Sequence, residues 1–265
     1  MDCCFAWMRK AISFLMHLFS SNTLHGTHSP FVYALLRDCV YSKMSVRESV
    51  KSYYSGMKER KDVIEGFDHG AGKSVRIEVG ALAKKSVTQH FESNLLGRLV
   101  NHHSSQRILE LGGNLGKASA TIASMNENAD VVSVEGNEGL VQMAKDGFDT
   151  LGIKNVNLIH ATFDSFFQTN EMKFDFVFID GDHSYEPTLR YYQRAKECLK
   201  GQGPIVLHDI YWSKGMEKAW ASVKQDPDAT VTIDLFFMGL VYFRKNQEKE
   251  HFKIRFPKSL FGFFL

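Results

Sequence analysis

Cysteine is scarce in this chain: four residues in 265, Cys3, Cys4, Cys39 and Cys198. None belongs to a C-x-x-C pair, so the spacing supports neither a zinc knuckle nor a disulfide framework. Reduced thiols in a cytoplasmic setting are the expectation. An excess of one charge is missing too. Lys and Arg number 32 against 30 Asp and Glu, a net charge of +2, too slight a bias to argue for nucleic acid or a membrane surface. No apolar run is long enough to span a bilayer. The richest, from Phe5 to Phe19, is interrupted by Arg9, Lys10 and His17, whereas a spanning helix needs ~20 mainly apolar residues. A signal peptide would place basic residues ahead of its apolar core, yet the only charge before Arg9 is Asp2. The stretch reads as an amphipathic helix packed on the protein, with reversible membrane-surface contact as the lesser reading. Internal repeats and low-complexity tracts are absent.

What is present suits a globular α/β protein: 44% hydrophobic and 23% charged residues, with length enough for one domain and an elaboration. The chain is organised around Arg107-Ile-Leu-Glu-Leu-Gly-Gly-Asn-Leu-Gly-Lys-Ala-Ser119. It reads as a buried strand over 108–111 that turns on glycines and enters a helix near Leu115. Glycines let a backbone approach a ligand closely, and the first N–H groups of a helix point at it. A dinucleotide G-x-G-x-x-G frame fails, because its first glycine would fall on Leu111. Acidic-x-Gly-x-x-x-Gly fits, with Glu110, Gly112 and Gly116.

Ahead of this turn the chain reads as helical to about residue 60. Ser29 is the expected N-cap and Pro30 the first residue of a helix carrying Val32, Leu35, Leu36 and Val40. A charged, solvent-facing helix is expected over 46–61. His25 and His28 sit in the preceding turn, with capping and packing favoured over a ligand role. Gly66 to Ser74, with Asp68, His69 and Lys73, reads as a glycine-rich lid, substrate loop or plain surface loop. A phosphate loop would need glycine where Phe67 stands. Gln89 to Val100 reads as a helix leading into the central turn.

After it, strands are expected at 131–134 ending in Glu135, at 155–159, at 174–179 ending in Asp180, and at 204–207 ending in His208-Asp209. Helices separate them. Near-continuous apolar strands of this kind belong to a parallel sheet covered on both faces. Residues 231–236 and 240–244 read as an antiparallel hairpin, and 251–256 as a further edge strand. The apolar tail Phe256 to Leu265 is expected to pack on the domain or at a dimer interface.

The central motif, the strand order and Phe178-Ile-Asp-Gly-Asp-His-Ser-Tyr-Glu186 together resemble class I S-adenosylmethionine-dependent methyltransferases over roughly residues 87 to 245. With His-Gly-x-His-Ser-Pro-Phe near the start, the whole chain resembles a bacterial group related to small-molecule O-methyltransferases. The resemblance implies a Rossmann-like sheet of five parallel strands plus a C-terminal antiparallel hairpin. It divides the chain into a helical cap with the Gly-rich loop over 1–86 and a cofactor-binding domain over 87–265. S-adenosylmethionine is the implied cofactor. Glu110 would orient its methionine ammonium, and Gly112, Gly113 and Gly116 would admit it. Glu135, nineteen positions after Gly116, would take two hydrogen bonds from the ribose diol. Thr162 and Phe163 match the adenine-contact region, Phe163 being equally readable as core, and Asp180 would also face the cofactor.

For chemistry, acids at successive strand ends stand where open α/β sheets bind ligands. Some relatives hold a divalent cation there, which implies Mg2+ on Asp180 and Asp209. Where the metal-dependent catechol-type enzymes carry Asn, this chain has Ile210, with Asp182 as the substitute ligand. Without metal, His183, and less so His208, is the general base, because an imidazole titrates near neutrality. Asp180, His183 and Asp209 are thus the expected catalytic set. Tyr211 and Trp212 read as an acceptor pocket or as packing. The function expected is O-methylation of a small-molecule hydroxyl. The other readings are a non-catalytic cofactor-binding protein and an RNA ribose methyltransferase; base methylation is disfavoured because Asp180-Gly-Asp-His stands where an Asn/Asp-Pro-Pro-aromatic motif belongs. A homodimer is among the expectations.

Overall fold

The structure, a computed structural model, describes residues 2–68, 72–85 and 90–255, without the side chains of 2–7 and 68. Two compact units emerge: Met1–Ser42 with Val177–Leu265, and Lys43–Phe176. His69, the 86/87 boundary and the apolar tail from Phe256 lie outside the described residues.

The first unit begins with helix α1 (Asp2–Ser20), amphipathic as expected, burying Phe14 and His17. A turn with exposed His25 and His28 leads to α2 (Pro30–Leu35), which has Ser29 as its N-cap residue and Pro at the start. The Ser29 side chain makes no capping bond. A π-helical turn, Leu36–Val40, continues the buried face through Leu36, Cys39 and Val40.

The second unit opens with α3 (Glu48–Gly56), shorter than the 46–61 helix expected and less exposed, since it buries Val50 and Tyr54. The Gly66–Ser74 segment is corrected outright. Its residues 66–68 and 73–74 belong to two antiparallel strands, β1 (Val63–Asp68) and β2 (Lys73–Glu78), in register from Val63 opposite Glu78 to Asp68 opposite Lys73, while 69–71 lie outside the described residues. Its glycines and charges suggested a loop, but backbone N–H and C=O groups build the ladder while charged side chains such as Glu65 and Arg76 stay in water. Next come α4 (Val79–Lys85), absent from the sequence reading, and α5 (His90–His102), which is buried along most of its length.

Then strand and helix alternate: β3 (Arg107–Leu111), α6 (Lys117–Met125), β4 (Asp130–Glu135), α7 (Glu138–Leu151), β5 (Val156–His160) and α8 (Phe163–Thr169). β4 pairs in parallel with β3 on one side and β5 on the other. Ile108, Leu109 and Leu111 are 0% exposed, and burying each contributes about 1.5–3 kcal/mol. α7 is bounded by local chemistry: Asn137 Oδ1 accepts from Leu140 N at 3.1 Å at its start, and left-handed Gly152 ends it.

The first unit resumes with β6 (Phe176–Ile179), α9 (Tyr185–Cys198), β7 (Ile205–His208), α10 (Lys214–Gln225), β8 (Val231–Asp234), β9 (Met238–Tyr242) and β10 (Glu250–Lys253). β6 and β7 run parallel, β9 is antiparallel to both β7 and β8, and β10 adds to β8 in parallel. The five parallel-type strands, the terminal hairpin and the edge strand expected from the sequence are all present.

Candidate functional site

In the second unit the turn after β3 brings together its glycines and two acidic residues. Gly112 and Gly116 have φ of 98° and 79°, and Asn114 between them is also left-handed at 48°. Gly116 is doubly required, because a Cβ there would sit 2.7 Å from the Phe148 ring. At Gly113 a Cβ would stand 2.6 Å from Ser133 Oγ. Packing inside the unit therefore explains both glycines before any ligand does.

Glu135 spans this turn. Its Oε2 accepts from Asn114 N at 2.8 Å and its Oε1 from Asn137 N at 2.9 Å. The Gly136 N–H also acts on this carboxylate, which still has acceptor capacity for a ribose hydroxyl. Burial pushes the carboxyl above its ordinary value, against the pull of the Asn137 and Asn114 N–H groups. Glu110 is different. It is buried, and its Oε2 accepts from the Ser119 and Ser133 hydroxyls, the latter at 2.5 Å. This oxygen is committed to α6 and β4. Thr162 is the N-cap of α8, its Oγ1 accepting from Ser165 N at 3.1 Å, and Phe163 is half-buried.

Two titrating neighbours of the turn were not legible in the sequence. Lys117, the first residue of α6, is buried, and that burial lowers it to about 8 although Glu92 pulls the other way. His90 is lowered to about 4 by burial, with the Lys117 charge next.

In the first unit a second cluster forms where β6 and β7 end. Asp180 Oδ1 lies 2.9 Å from His208 Nδ1 and 3.6 Å from His183 Nε2, so one carboxylate serves two imidazoles. Asp209 Oδ2 lies 3.7 Å from the same His208 nitrogen. Both ring nitrogens of His208 are shielded from solvent, while the His183 side chain is 27% exposed. Asp182 and Asp209 are left-handed, each with φ of 52°, a strain of the kind that clusters at functional turns. Asp209 O accepts from Trp212 N at 2.8 Å to close the turn after β7. Trp212 stands out of it, 54% exposed, with its ring 6.3 Å from His183.

Helix α1 holds this turn from the side. Arg9 donates to the carbonyls of Tyr211 at 3.2 Å and Trp212 at 2.6 Å and pairs with Glu217. Lys10 Nζ lies 5.2 Å from the Trp212 ring centroid. Tyr211 stacks on Phe236 with centroids 4.9 Å apart and gives its hydroxyl to Asp234 Oδ2 at 2.7 Å. Tyr211 is thus a packing residue, and Trp212 is the exposed aromatic of the pair.

The expected magnesium on Asp180 and Asp209 is not shown. Among the described residues no group of three or more His, Cys, Asp or Glu could hold a metal ion. Asp180 Oδ1 faces the His208 imidazole.

Residues 109–210 match the family model described as "Methyltransferase domain". Among curated proteins, none matches the chain. Solved structures do. A methyltransferase from Podospora anserina, bound to SAH, aligns at 14% identity and a TM-score of 0.62, over 83% of this chain and 97% of that one. The fold is that of the Rossmann-like methyltransferases. An O-methyltransferase from Bacillus cereus in complex with SAH aligns at 15% identity and a TM-score of 0.56, covering 80% of this chain and 97% of its own. The O-methyltransferase TomG from Streptomyces achromogenes, in complex with SAM, gives 17% and 0.54, over 74% and 96%. Among the described residues no helix is long and apolar enough to cross a membrane.

Proposed function

We propose that the chain is an S-adenosylmethionine-dependent methyltransferase acting on a hydroxyl group of a small molecule. One observation carries this reading: within the segment that matches the methyltransferase model, a single carboxylate, Asp180, serves two imidazoles, one shielded and one open to water. S-adenosylmethionine, when bound, supplies an activated methyl group on a sulfonium. The protein has then to hold the cofactor, align the acceptor and remove its proton.

The backbone of the 112–116 turn and the remaining acceptor capacity of Glu135 are the groups suited to the cofactor. Glu110, by holding the Ser119 and Ser133 hydroxyls, keeps α6 and β4 in place around it. His183 is the base. With Nε2–H turned to Asp180, its Nδ1 is left to take the acceptor proton, and Asp180 stabilises the imidazolium that results. His208, shielded and paired with Asp180 and Asp209, fixes that carboxylate. Trp212 offers an exposed ring on which a flat acceptor can stack.

Calorimetric titration with S-adenosylmethionine and S-adenosylhomocysteine, with NADH as control, tests the cofactor. Micromolar binding of the first two supports the reading, whereas binding of NADH alone overturns it. His183→Ala should keep S-adenosylmethionine affinity and lose turnover of a phenolic acceptor panel; equal turnover would remove His183 from its role.

A further inference from the structure

A cavity of about 440 Å³ opens in the first unit at the Ile205 end of β7, where β8 begins and β9 ends. It stands at the other end of β7 from His208, and no residue lining it takes part in the chemistry above. The volume suits a small organic ligand. Its polar wall carries Lys196, Asp228, Arg244 and Lys245, and its apolar wall Leu199, Pro227 and Phe243.

The cations are not alike. Lys196 is committed, with Nζ at 2.6 Å from Asp226 and 2.9 Å from Asp228. Arg244 is not. Its guanidinium lies 3.9 Å from the centre of the Phe31 ring, which orients the plane without using a single N–H. Its Nε is sealed from solvent and meets no acceptor among the described residues. The backbone beneath is anchored, with Arg244 N donating to Thr230 Oγ1 at 2.8 Å and Lys245 N to Gln202 Oε1 at 3.1 Å. A planar donor is thus held in place, with a second cation next to it in sequence and apolar residues in the same lining.

We propose that this cavity binds a small molecule carrying a carboxylate or phosphoryl group on an apolar or aromatic body. Arg244 receives the oxyanion through its two terminal nitrogens, a two-point arrangement that guanidinium makes with such groups. Lys245 adds charge, and Leu199, Pro227 and Phe243 cover the body. The inference does not depend on methyl transfer.

The test uses the full chain labelled with 15N-arginine, the Arg244 Nε–H signal being assigned by its absence in Arg244→Lys. Benzoate and phenyl phosphate are titrated as probes, with benzyl alcohol as the neutral control. A saturable displacement at millimolar concentration or below by either anion, with little from benzyl alcohol, supports the site. Benzoate alone selects the carboxylate, phenyl phosphate alone the phosphoryl group, and both the shared oxyanion chemistry. By calorimetry, Arg244→Lys should weaken the bound probe about tenfold or more, because Lys lacks the fork. Lys245→Ala, which leaves the Phe31 stack untouched, should weaken it less. No saturable displacement by either anion, an equal response to benzyl alcohol, or unchanged affinity in Arg244→Lys would overturn the proposal. S-adenosylmethionine titration of the same variants reports on the methyltransferase reading separately.

Discussion

Among its described residues the first unit holds two Asp–His clusters, and they differ in almost everything except their names. His17 Nε2 lies 3.1 Å from Asp234 Oδ1, with both side chains at most 5% exposed. Asp234 also accepts from Tyr211, from Trp220 Nε1 at 3.3 Å and from Phe236 N at 2.9 Å. Asp180, by contrast, faces two imidazoles, and the His183 side chain is open to water. A carboxylate held by donors on α1, on α10 and in the turns after β7 and β8 is placed to hold shape. One shared between two imidazoles beside a left-handed turn fits the proton-handling role proposed above. The pair alone does not reveal its job; the other partners and the access of water do.

Asp234→Asn should break this contrast most strongly, because it leaves a buried cluster with mismatched donors. We expect a loss of about 3 kcal/mol in unfolding free energy at neutral pH, read from urea titration. Asp180→Asn should lower turnover ~100-fold, about 2.7 kcal/mol in the transition state, while stability changes by about 1 kcal/mol or less. A large fall in stability there would make Asp180 a second structural pair and erase the distinction. Acid sharpens it further. Burial works to raise the Asp234 carboxyl, but the His17 bond and charge and the Tyr211 and Phe236 donors hold it below its ordinary value. The native state therefore binds fewer protons than the unfolded one. The stabilisation is complete above the ordinary Asp value of about 3.9 and is lost as pH falls through the lower folded value. In Asp234→Asn the acid limb of the stability profile should be shallower. The smallest effect belongs to Arg9→Ala, which removes two carbonyl contacts and a partly exposed ion pair. About 1 kcal/mol is expected, together with a change in Trp212 fluorescence.

Much of the layout was legible in the sequence, for reasons visible in particular elements. β3, β6 and β7 are runs of Ile, Leu, Val and Phe buried on both faces, and composition reports that directly. α10 left a signal that was passed over: Ser213 caps it, and Met216, Ala219, Trp220 and Val223 recur at helical spacing. α8 has only 7 residues, too few to show a period. The strands over 63–68 and 73–78 were hard to read because the apolar alternation in them is short, only Val75 and Ile77 in β2, amid glycines and charges. At the candidate site, the acids at strand ends were readable as such. Their partners were not, because neither the serine pair on Glu110 nor the His208 contact of Asp180 leaves a local pattern. Nothing in the neighbourhood of Arg9 or His17 points to Trp212 or Asp234.

His17 and Asp234 are 217 positions apart. On a ribosome adding about 5–20 residues each second, the helix bearing His17 emerges on the order of 10–40 s before its aspartate exists. For that interval its buried face has no seat. Lys43–Phe176 can meanwhile complete its own strands and helices. The order of synthesis thus makes α1 well before its seat on β8, and a nascent chain stalled before β8 would display Phe14 and His17 to whatever attends the tunnel exit.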